Sequence, residues 1–191
     1  MSGRRGTSEE IDCRIVYVGP AGGGKSTTVR AVHDRLDPES RSVLLAPTRA
    51  DGSTPLTDLL TVKLGVLAGR SLRLQLLTAP GEMARAAVRS RILAGADGMI
   101  FVADSAPDRM DANKDALAAV RLSLRELGDS EPPPLVFQYN KRDLPEALSE
   151  AEMERALNPA GRPAFWSVAC RREGVIEPLT ALSERVVRTL A

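Results

Sequence analysis

The segment 19–26 constrains the fold of this chain more than any other, because it fits the phosphate-binding loop pattern G-x-x-x-x-G-K-[ST]. An apolar run at 15–18 precedes it, and a segment with apolar residues at helical spacing follows it at 25–36. Glycines let the backbone curl so that successive N–H groups point at one phosphate group. A glycine-rich turn that binds nothing is the alternative, but the flanking strand and helix patterns favour a nucleoside triphosphate site.

Two side chains of this loop carry the chemistry. Lys25 is expected to place a positive charge at the β- and γ-phosphates, and Ser26 is expected to offer a hydroxyl ligand to Mg²⁺. The helix that follows presents its positive N-terminal end to anions. The residues predicted to bind the phosphates are Gly19, Ala21, Gly22, Gly23, Gly24, Lys25, Ser26 and Thr27.

Composition narrows the class of protein. The 26 Lys and Arg residues nearly cancel the 25 Asp and Glu residues, and aromatic residues are only 3% of the chain. Neither a basic surface nor a stacking platform for nucleic acid is therefore indicated. No apolar stretch approaches the ~20 residues that span a bilayer. The polar segment 1–10 does not read as a secretion signal, and the last residues carry no prenylation cysteine, so we expect a cytoplasmic protein without a membrane anchor.

Apolar runs alternate with helical patterns along the chain, which is typical of an α/β domain with a mainly parallel sheet and helices on both faces. One domain is predicted over 11–191, after a flexible segment at 1–10. The strands at 58–65 and 71–77 are expected to form an antiparallel hairpin at the sheet edge. Strands are predicted at 12–18, 43–46, 58–65, 71–77, 98–103, 134–139 and 164–168, and helices at 25–36, 84–94, 109–127, 149–157 and 174–190.

A second motif, Asn140-Lys141-Arg142-Asp143, directly follows an apolar strand and matches N-K-x-D, the guanine-reading motif of small GTPases. A carboxylate there can accept hydrogen bonds from N1–H and the exocyclic amine of guanine, and adenine offers neither donor. Lys141 is expected to lay its methylene stem over the base, and Asn140 to tie this loop to the phosphate loop. A charged surface turn is the alternative, but the position after a phosphate loop favours guanine.

A third, weaker signal is Val168-Ala169-Cys170, which stands where small GTPases have S-A-K. There the backbone N–H of the middle residue bonds guanine O6, a role that Ala169 can fill whatever its neighbours are. Cys170 is either a reactive thiol near the base or a passive loop residue, and the second interpretation is favoured.

Together these residues make the chain resemble the bacterial Ras-like GTPases of the MglA type, which set cell polarity in gliding bacteria. The resemblance covers some 180 residues. It is carried by Val18-Gly-Pro20, Thr78-Ala-Pro-Gly81, the run 98–107, and Asn140-Lys-Arg-Asp-Leu-Pro145. It implies a Ras-like three-layer P-loop fold and a GTP/GDP switch that uses Mg²⁺. It also implies an activating partner, a roadblock-fold (MglB-like) homodimer, and effectors that the sequence does not identify.

The residues around Gly81 depart from this pattern. The backbone N–H of Gly81 fits the sensor of the γ-phosphate, and the next position normally holds a glutamine that orients the attacking water. Here it is Glu82, whose carboxylate accepts hydrogen bonds but donates none to the phosphoryl oxygens. We expect GTP hydrolysis to be slow.

The loop before the hairpin also departs. The resemblance implies an arginine finger just before a threonine that binds Mg²⁺, but alignment back from Gly65 puts Thr54 on that threonine and Ser53 on the arginine. Arg49 is an alternative finger, since the loop is one residue longer. The rival threonines for the metal are Thr48, Thr57 and Thr61.

Thr78 stands where most Ras-like proteins have the aspartate that holds a metal-bound water. Asp104, at the end of the next strand, is one candidate to compensate, but a helix-capping role for Asp104 or Ser105 is favoured. Three functions remain open: a GTPase switch, a GTP-dependent scaffold with negligible turnover, and, as the weakest, a P-loop ATPase or kinase.

Overall fold

The computed structural model describes residues 10–45, 58–81, 86–128 and 131–189. These residues form one six-stranded sheet with five α-helices. The strands are β1 Glu10–Val18, β2 Leu59–Leu67, β3 Arg70–Thr78, β4 Gly98–Asp104, β5 Leu135–Asn140 and β6 Ala164–Trp166. The helices are α1 Lys25–Arg35, α2 Ala86–Leu93, α3 Met110–Leu127, α4 Glu150–Leu157 and α5 Ile176–Arg188.

The sheet has the order β2-β3-β1-β4-β5-β6. Every neighbouring pair is parallel except β2 and β3, which are antiparallel, with Leu59 opposite Leu77. The expected mainly parallel sheet with an antiparallel edge hairpin is therefore confirmed.

Alternation along the strands builds two hydrophobic cores. In β1, Ile15 and Tyr17 pack into one core, and Val16 and Val18 pack into the other. The first core includes side chains of α1 and α5, and the second includes side chains of α2, α3 and α4. The helices thus cover both faces of the sheet, which gives the three layers of a Ras-like fold.

The strand expected at 43–46 is not observed in its described part. Residues 41–45 make only isolated bridges, Arg41 to Val62 and Leu45 to Leu59, beside β2. Val43 and Leu45 remain 79% and 58% exposed. Leu44, between them, packs against the first core, so only one of these three apolar side chains is covered and pairing with β2 stops at the two bridges.

Most other boundaries agree with expectation within two residues, as far as they are described. Residues 84 and 85 of the expected second helix, residue 46, the segment 1–9 and the last two residues lie outside the described chain. Glu10, placed in the N-terminal segment by the sequence, begins β1. In the described part of the chain no helix has the length and apolarity needed to cross a membrane.

Parallel strands bring their carboxyl ends to one edge of the sheet, where ligands bind in open α/β folds. The phosphate loop follows β1, Thr78 ends β3, Asp104 ends β4 and Asn140 ends β5. The motifs found in the sequence therefore meet at one edge.

Candidate nucleotide-binding site

The glycines of the phosphate loop are required by its shape. Gly19 and Gly24 have φ of 137° and 101°, in the region that side chains rarely adopt. A Cβ on Gly19 would overlap the carbonyl oxygen of Val102, and one on Gly24 would overlap the side-chain amide of Asn140. The loop is thus packed against β4 and against the end of β5.

Lys25 lies folded over this loop. Its side chain is buried, and Nζ donates to the carbonyl oxygens of Gly19 and Pro20 at 2.9 and 2.8 Å. These bonds hold the ammonium group beside the loop that is expected to cradle the phosphates. Lys25, Ser26 and Thr27 form the first turn of α1, which contains no acidic residue, so the positive end of this helix is not neutralised from within.

Asn140 joins the phosphate loop to the base-side loops. Its Nδ2 donates to the carbonyl oxygen of Gly23 at 3.0 Å, while its Oδ1 accepts from Ser167 Oγ at 3.1 Å and from the backbone N–H of Ala169 at 3.0 Å. The side chain is 3% exposed. The expected link to the phosphate loop is present, and the same amide group also fixes the loop after β6.

Beneath Asn140 lies a buried polar contact that the sequence analysis missed. Gln138 Nε2 donates to Thr28 Oγ1 at 3.0 Å and to Ser167 Oγ at 2.9 Å, which connects β5 to α1 and to the loop after β6. Gln138 Oε1 is buried without a hydrogen-bond partner among the described residues. The signal that was available is a glutamine inside the apolar run 135–139.

Lys141 adopts a left-handed backbone conformation, with φ of 65°, and its Nζ lies 2.6 Å from Asp104 Oδ2. Asp104 is 1% exposed, and its Oδ1 accepts from the backbone N–H of Ala106 at 3.2 Å. Both carboxylate oxygens are therefore engaged in shaping the loops. The favoured helix-capping role for Asp104 or Ser105 is wrong, because the N-caps of the 3₁₀ turn at 107–109 and of α3 are Ala106 and Arg109, and neither has a side-chain capping hydrogen bond.

Asp143, the predicted reader of guanine, has a side chain that is 23% exposed. Its Oδ2 lies 3.8 Å from the guanidinium of Arg171 and 4.0 Å from the sulfur of Cys170. The loop after β5 and the loop after β6, which carry the residues predicted to contact the base, thus lie next to each other. Val168 and Ala169 are buried, and the Ala169 amide that is predicted to bond guanine O6 donates to Asn140 in this structure. A guanine O6 would share that N–H with Asn140 or take it over.

The two cysteines differ in environment. Cys13 is buried in β1, and burial, followed by the charges of Asp97 and Asp12, raises the pKa of its thiol to about 11. That thiol remains neutral at physiological pH. Cys170 is exposed beside Asp143.

Arg109 is a second residue that the sequence analysis missed at this site. Its guanidinium donates to the carbonyl oxygen of Ala21 at 2.6 Å and lies 3.6 Å from Asp104. An arginine at the start of α3 thus touches the phosphate loop from outside. Nothing in its local sequence distinguishes it from a surface arginine.

On the side of the site where the metal is expected, Thr78 pairs with Asp58, a residue that the sequence motifs do not indicate. Thr78 Oγ1 donates to Asp58 Oδ2 at 3.0 Å and accepts from the backbone N–H of Asp58 at 2.9 Å. Asp58 is 1% exposed, and its Oδ1 is buried without a hydrogen-bond partner among the described residues. A buried, half-satisfied carboxylate therefore lies beside Thr78, the residue that stands where the resemblance to Ras-like proteins leads us to expect an aspartate.

Gly81 lies against the phosphate loop. A Cβ at this position would overlap the backbone nitrogen of Ala21 and lie 2.6 Å from the carbonyl oxygen of Gly19. This contact places residue 81 beside the phosphate loop, as its predicted role requires. Glu82, Arg49, Ser53 and Thr54, together with the rivals Thr48 and Thr57, lie outside the described residues, and the remaining rival, Thr61, lies within β2.

Two comparisons with known proteins agree with this geometry. The family model described as the ADP-ribosylation factor family matches residues 4–186. The chain is also 39% identical over 185 residues to the mutual gliding-motility protein MglA of Myxococcus xanthus (strain DK1622), an alignment that covers 96% of this chain and 95% of that protein. The resemblance drawn from the motifs is thereby confirmed.

Proposed function

Because the chain belongs to the ADP-ribosylation factor family of small GTPases, we propose that it is a guanine-nucleotide switch that hydrolyses GTP slowly. GTP binding and GTP hydrolysis are general properties of this family. The slow rate, the metal, the individual site residues and the partner are specific to the proposal.

One observation supports the proposal above the others: Asn140 bonds the phosphate loop and the loop after β6 at once. This single side chain sets the spacing between a loop that suits phosphates and a loop whose Asp143 suits the Watson–Crick edge of guanine. A nucleotide that satisfied both would lie along the edge where β1 and β5 end.

The phosphates are bound, in this proposal, by the loop amides and by Lys25, and Ser26 with Thr54 holds Mg²⁺. When bound, Mg²⁺ neutralises charge between the β- and γ-phosphates. Two findings fit a metal here: the orphaned carboxylate oxygen of Asp58, and a first helical turn that carries a hydroxyl at Ser26 and no acid. Gly81 beside the loop is suited to meet the terminal phosphate through its N–H.

Slow hydrolysis is proposed because Glu82 replaces the glutamine that positions water, and Ser53 replaces the finger arginine. A carboxylate cannot donate a hydrogen bond to the phosphoryl oxygens, and its charge opposes an anionic group. The loss of one such aligned interaction raises the barrier by roughly 3 kcal/mol, which corresponds to ~10² in rate. Arg49 remains the proposed alternative finger.

A single-turnover assay tests this rate. The protein is loaded with GTP, Mg²⁺ is supplied, and phosphate release is followed in the wild type, in Glu82→Gln, and in the control Glu126→Gln, which changes an exposed acid of α3. We expect Glu82→Gln to accelerate release and the control to leave it unchanged. A wild type that already hydrolyses GTP at ordinary Ras-like rates, or no gain with Glu82→Gln, contradicts the slow-hydrolysis proposal.

A GTP-dependent scaffold without turnover is the second candidate, and the pair Ser53 and Glu82 favours it. From the resemblance to MglA-type GTPases we also propose a role in cell polarity, a cytoplasmic location and a roadblock-fold homodimer as activating partner. The name of the Myxococcus xanthus relative, a gliding-motility protein, fits the first of these. Phosphate release measured with and without such a homodimer separates the two candidates: the switch responds to it, and the scaffold does not. Mass analysis of the copurifying nucleotide tests guanine against adenine, and thereby the weaker ATPase or kinase alternative.

A further inference from the structure

The end of the β2–β3 hairpin carries a carboxylate without a full set of partners. Asp58 is 1% exposed, its Oδ2 accepts from Thr78, and its Oδ1 has no hydrogen-bond partner among the described residues. A buried carboxylate oxygen that remains unpaired is strongly unfavourable unless a cation or a donor reaches it. Asp58 is therefore suited to a ligand that supplies positive charge or hydrogen-bond donors.

The strand register decides where this carboxylate lies. Antiparallel pairing of Leu59 with Leu77 brings Asp58 opposite Thr78, and their backbones are joined by a hydrogen bond from Thr78 N–H to Asp58 O at 3.2 Å. Parallel pairing then sets Thr78 beside Tyr17 of β1, two residues before Gly19. The hairpin thus delivers Asp58 to the edge of the sheet where the phosphate loop begins.

Thr78 holds the carboxylate in a fixed position. Its hydroxyl donates to Asp58 Oδ2 at 3.0 Å and accepts from the Asp58 N–H at 2.9 Å. One side chain therefore bonds both the carboxylate and the backbone of Asp58. One carboxylate oxygen is satisfied by this arrangement, and the other is left for a ligand. Thr78 carries no charge itself, but its hydroxyl orients the charged carboxylate of Asp58.

We infer that Asp58 performs the task that the threonine at position 78 cannot perform: it accepts hydrogen bonds from water bound to the nucleotide-associated Mg²⁺. Mg²⁺ dehydrates reluctantly and keeps several waters, which donate well to a nearby carboxylate. Thr78 is the positioning residue for this carboxylate. The inference rests on the proposed function, because it assumes a Mg²⁺–nucleotide complex at this edge.

Asp104, the other carboxylate considered for this task, is already occupied. Its Oδ2 lies 2.6 Å from Lys141 Nζ, and its Oδ1 accepts from the Ala106 amide at 3.2 Å. It serves the loops after β4 and β5 and has no orphaned oxygen. Asp58 is thus the acid among the described residues at this edge that is both buried and incompletely bonded.

The test measures release of a fluorescent GDP analogue as a function of free Mg²⁺, in the wild type and in Asp58→Asn. Asn retains the shape of the side chain but removes its charge. We expect the Mg²⁺ concentration that half-maximally slows release to rise by about tenfold or more, the usual size for loss of an outer-sphere partner. Release in excess chelator, where no metal is bound, is expected to match that of the wild type, because the substitution leaves the contacts of the phosphate loop unchanged.

A matched control distinguishes metal binding from general damage. Asp97 is a half-buried carboxylate that accepts from the Arg14 N–H at 2.7 Å, at the opposite end of the sheet from the phosphate loop. Asp97→Asn is expected to leave the Mg²⁺ midpoint unchanged. An equal shift in both variants, or no shift in Asp58→Asn, overturns the inference and assigns Asp58 to the hairpin alone.

A second variant tests whether a carboxylate at this place in the site is sufficient, whichever residue of the chain supplies it. Adding Thr78→Asp to Asp58→Asn returns a carboxylate to the usual Ras-like position, and we expect it to restore the Mg²⁺ midpoint toward the wild type. If Asp58→Asn does not fold, a crystal structure of the wild-type protein with GDP and Mg²⁺ decides: a bond from Asp58 Oδ1 to a metal-bound water supports the inference, and any other partner for that oxygen overturns it.

Failure of the proposed function gives a different result. A wild type that binds no GDP contradicts both the proposed function and this inference. A wild type whose GDP release depends on Mg²⁺, with Asp58→Asn behaving identically, contradicts only the inference.

Discussion

The base end and the phosphate end of the site differ in how complete they are. At the base end, Ser167 and Ala169 both donate to Asn140 and Lys141 is paired with Asp104, although Gln138 Oε1 beneath them has no partner among the described residues. At the phosphate end, Lys25 donates to carbonyl oxygens of its own loop, and a carboxylate oxygen of Asp58 has no partner among the described residues. The difference teaches that hydrogen bonds within the chain already hold the proposed base-side loops together, whereas the phosphate end keeps a buried carboxylate oxygen that a ligand has yet to satisfy.

The largest effect is expected from Asp143→Ala, which tests whether the base end selects the nucleotide. Loss of two hydrogen bonds to a charged acceptor removes roughly 3–6 kcal/mol of discrimination, so the preference for GDP over ADP should fall by about 10²- to 10⁴-fold. Binding of both nucleotides by calorimetry measures it. Asp111→Ala, on an acid whose side chain is 95% exposed on α3, is the control and should change nothing.

An unchanged preference for GDP over ADP in Asp143→Ala would contradict the comparison. The loops that Asn140 ties together would then not be the part of the site that recognises the base. A parallel measurement of IDP binding tests the hydrogen bond to the exocyclic amine alone. Hypoxanthine lacks the exocyclic amine, so the wild type should prefer GDP and Asp143→Ala should not.

A smaller and unselective effect is expected from Lys25→Ala. The ammonium group supplies charge to the phosphates, and its loss removes about 3 kcal/mol. The affinity for GDP should therefore fall by ~10², with an equal loss for IDP, so that the preference between the two bases stays constant. Lys114→Ala, on the half-exposed lysine of α3, should leave both affinities unchanged. A change of base preference in Lys25→Ala would show that the two ends are not independent.

The smallest effect is expected on the stability of the nucleotide-free protein, from Asn140→Ala. The variant leaves the Gly23 carbonyl and the Ala169 amide unpaired, which lowers the free energy of unfolding by about 2 kcal/mol. Urea unfolding measures it. Asn158→Ala is the matched control, since Asn158 is equally buried at 3% and makes hydrogen bonds to Glu154 and to the backbone N–H and carbonyl of Arg162.

Both variants should be destabilised by similar amounts, but only Asn140→Ala should also weaken GDP binding. If Asn140→Ala did not lower the free energy of unfolding of the nucleotide-free protein, the hydrogen bonds of Asn140 would not be formed before a nucleotide binds. If Asn158→Ala weakened GDP binding equally, the effect would reflect stability and not position.

Local motifs were sufficient to predict the phosphate loop and the general fold. The curl at 19–26 is encoded in neighbouring glycines, and the alternation of apolar runs predicts the parallel sheet and its edge hairpin. The motif from Asn140 to Asp143 can be recognised because it begins at the end of a strand, and its role as reader of the base stays a prediction. In each case the residues that matter are close in sequence, so a pattern can report them.

Contacts that depend on register or on distant partners were not predicted. Asp58 was read as the first residue of a strand, and its pairing with Thr78 follows only from the alignment of β2 with β3. Gln138 lies in an apolar run, and its role does not follow from the pattern because its partners, Thr28 and Ser167, are far away in sequence. The strand expected at 43–46 is wrong for the opposite reason: its composition suits a strand, but Val43 and Leu45 stay exposed and the described part pairs with β2 only through isolated bridges.

The Asn140 side chain has a consequence for how the protein is made. It bridges Gly23, 117 positions earlier, and Ala169, 29 positions later, so three widely separated stretches must meet before the base platform exists. Closing such long loops is slow compared with local folding. On the ribosome, the phosphate loop emerges early, yet its bond to Asn140 and the link to the loop after β6 cannot form until residue 169 has left the exit tunnel.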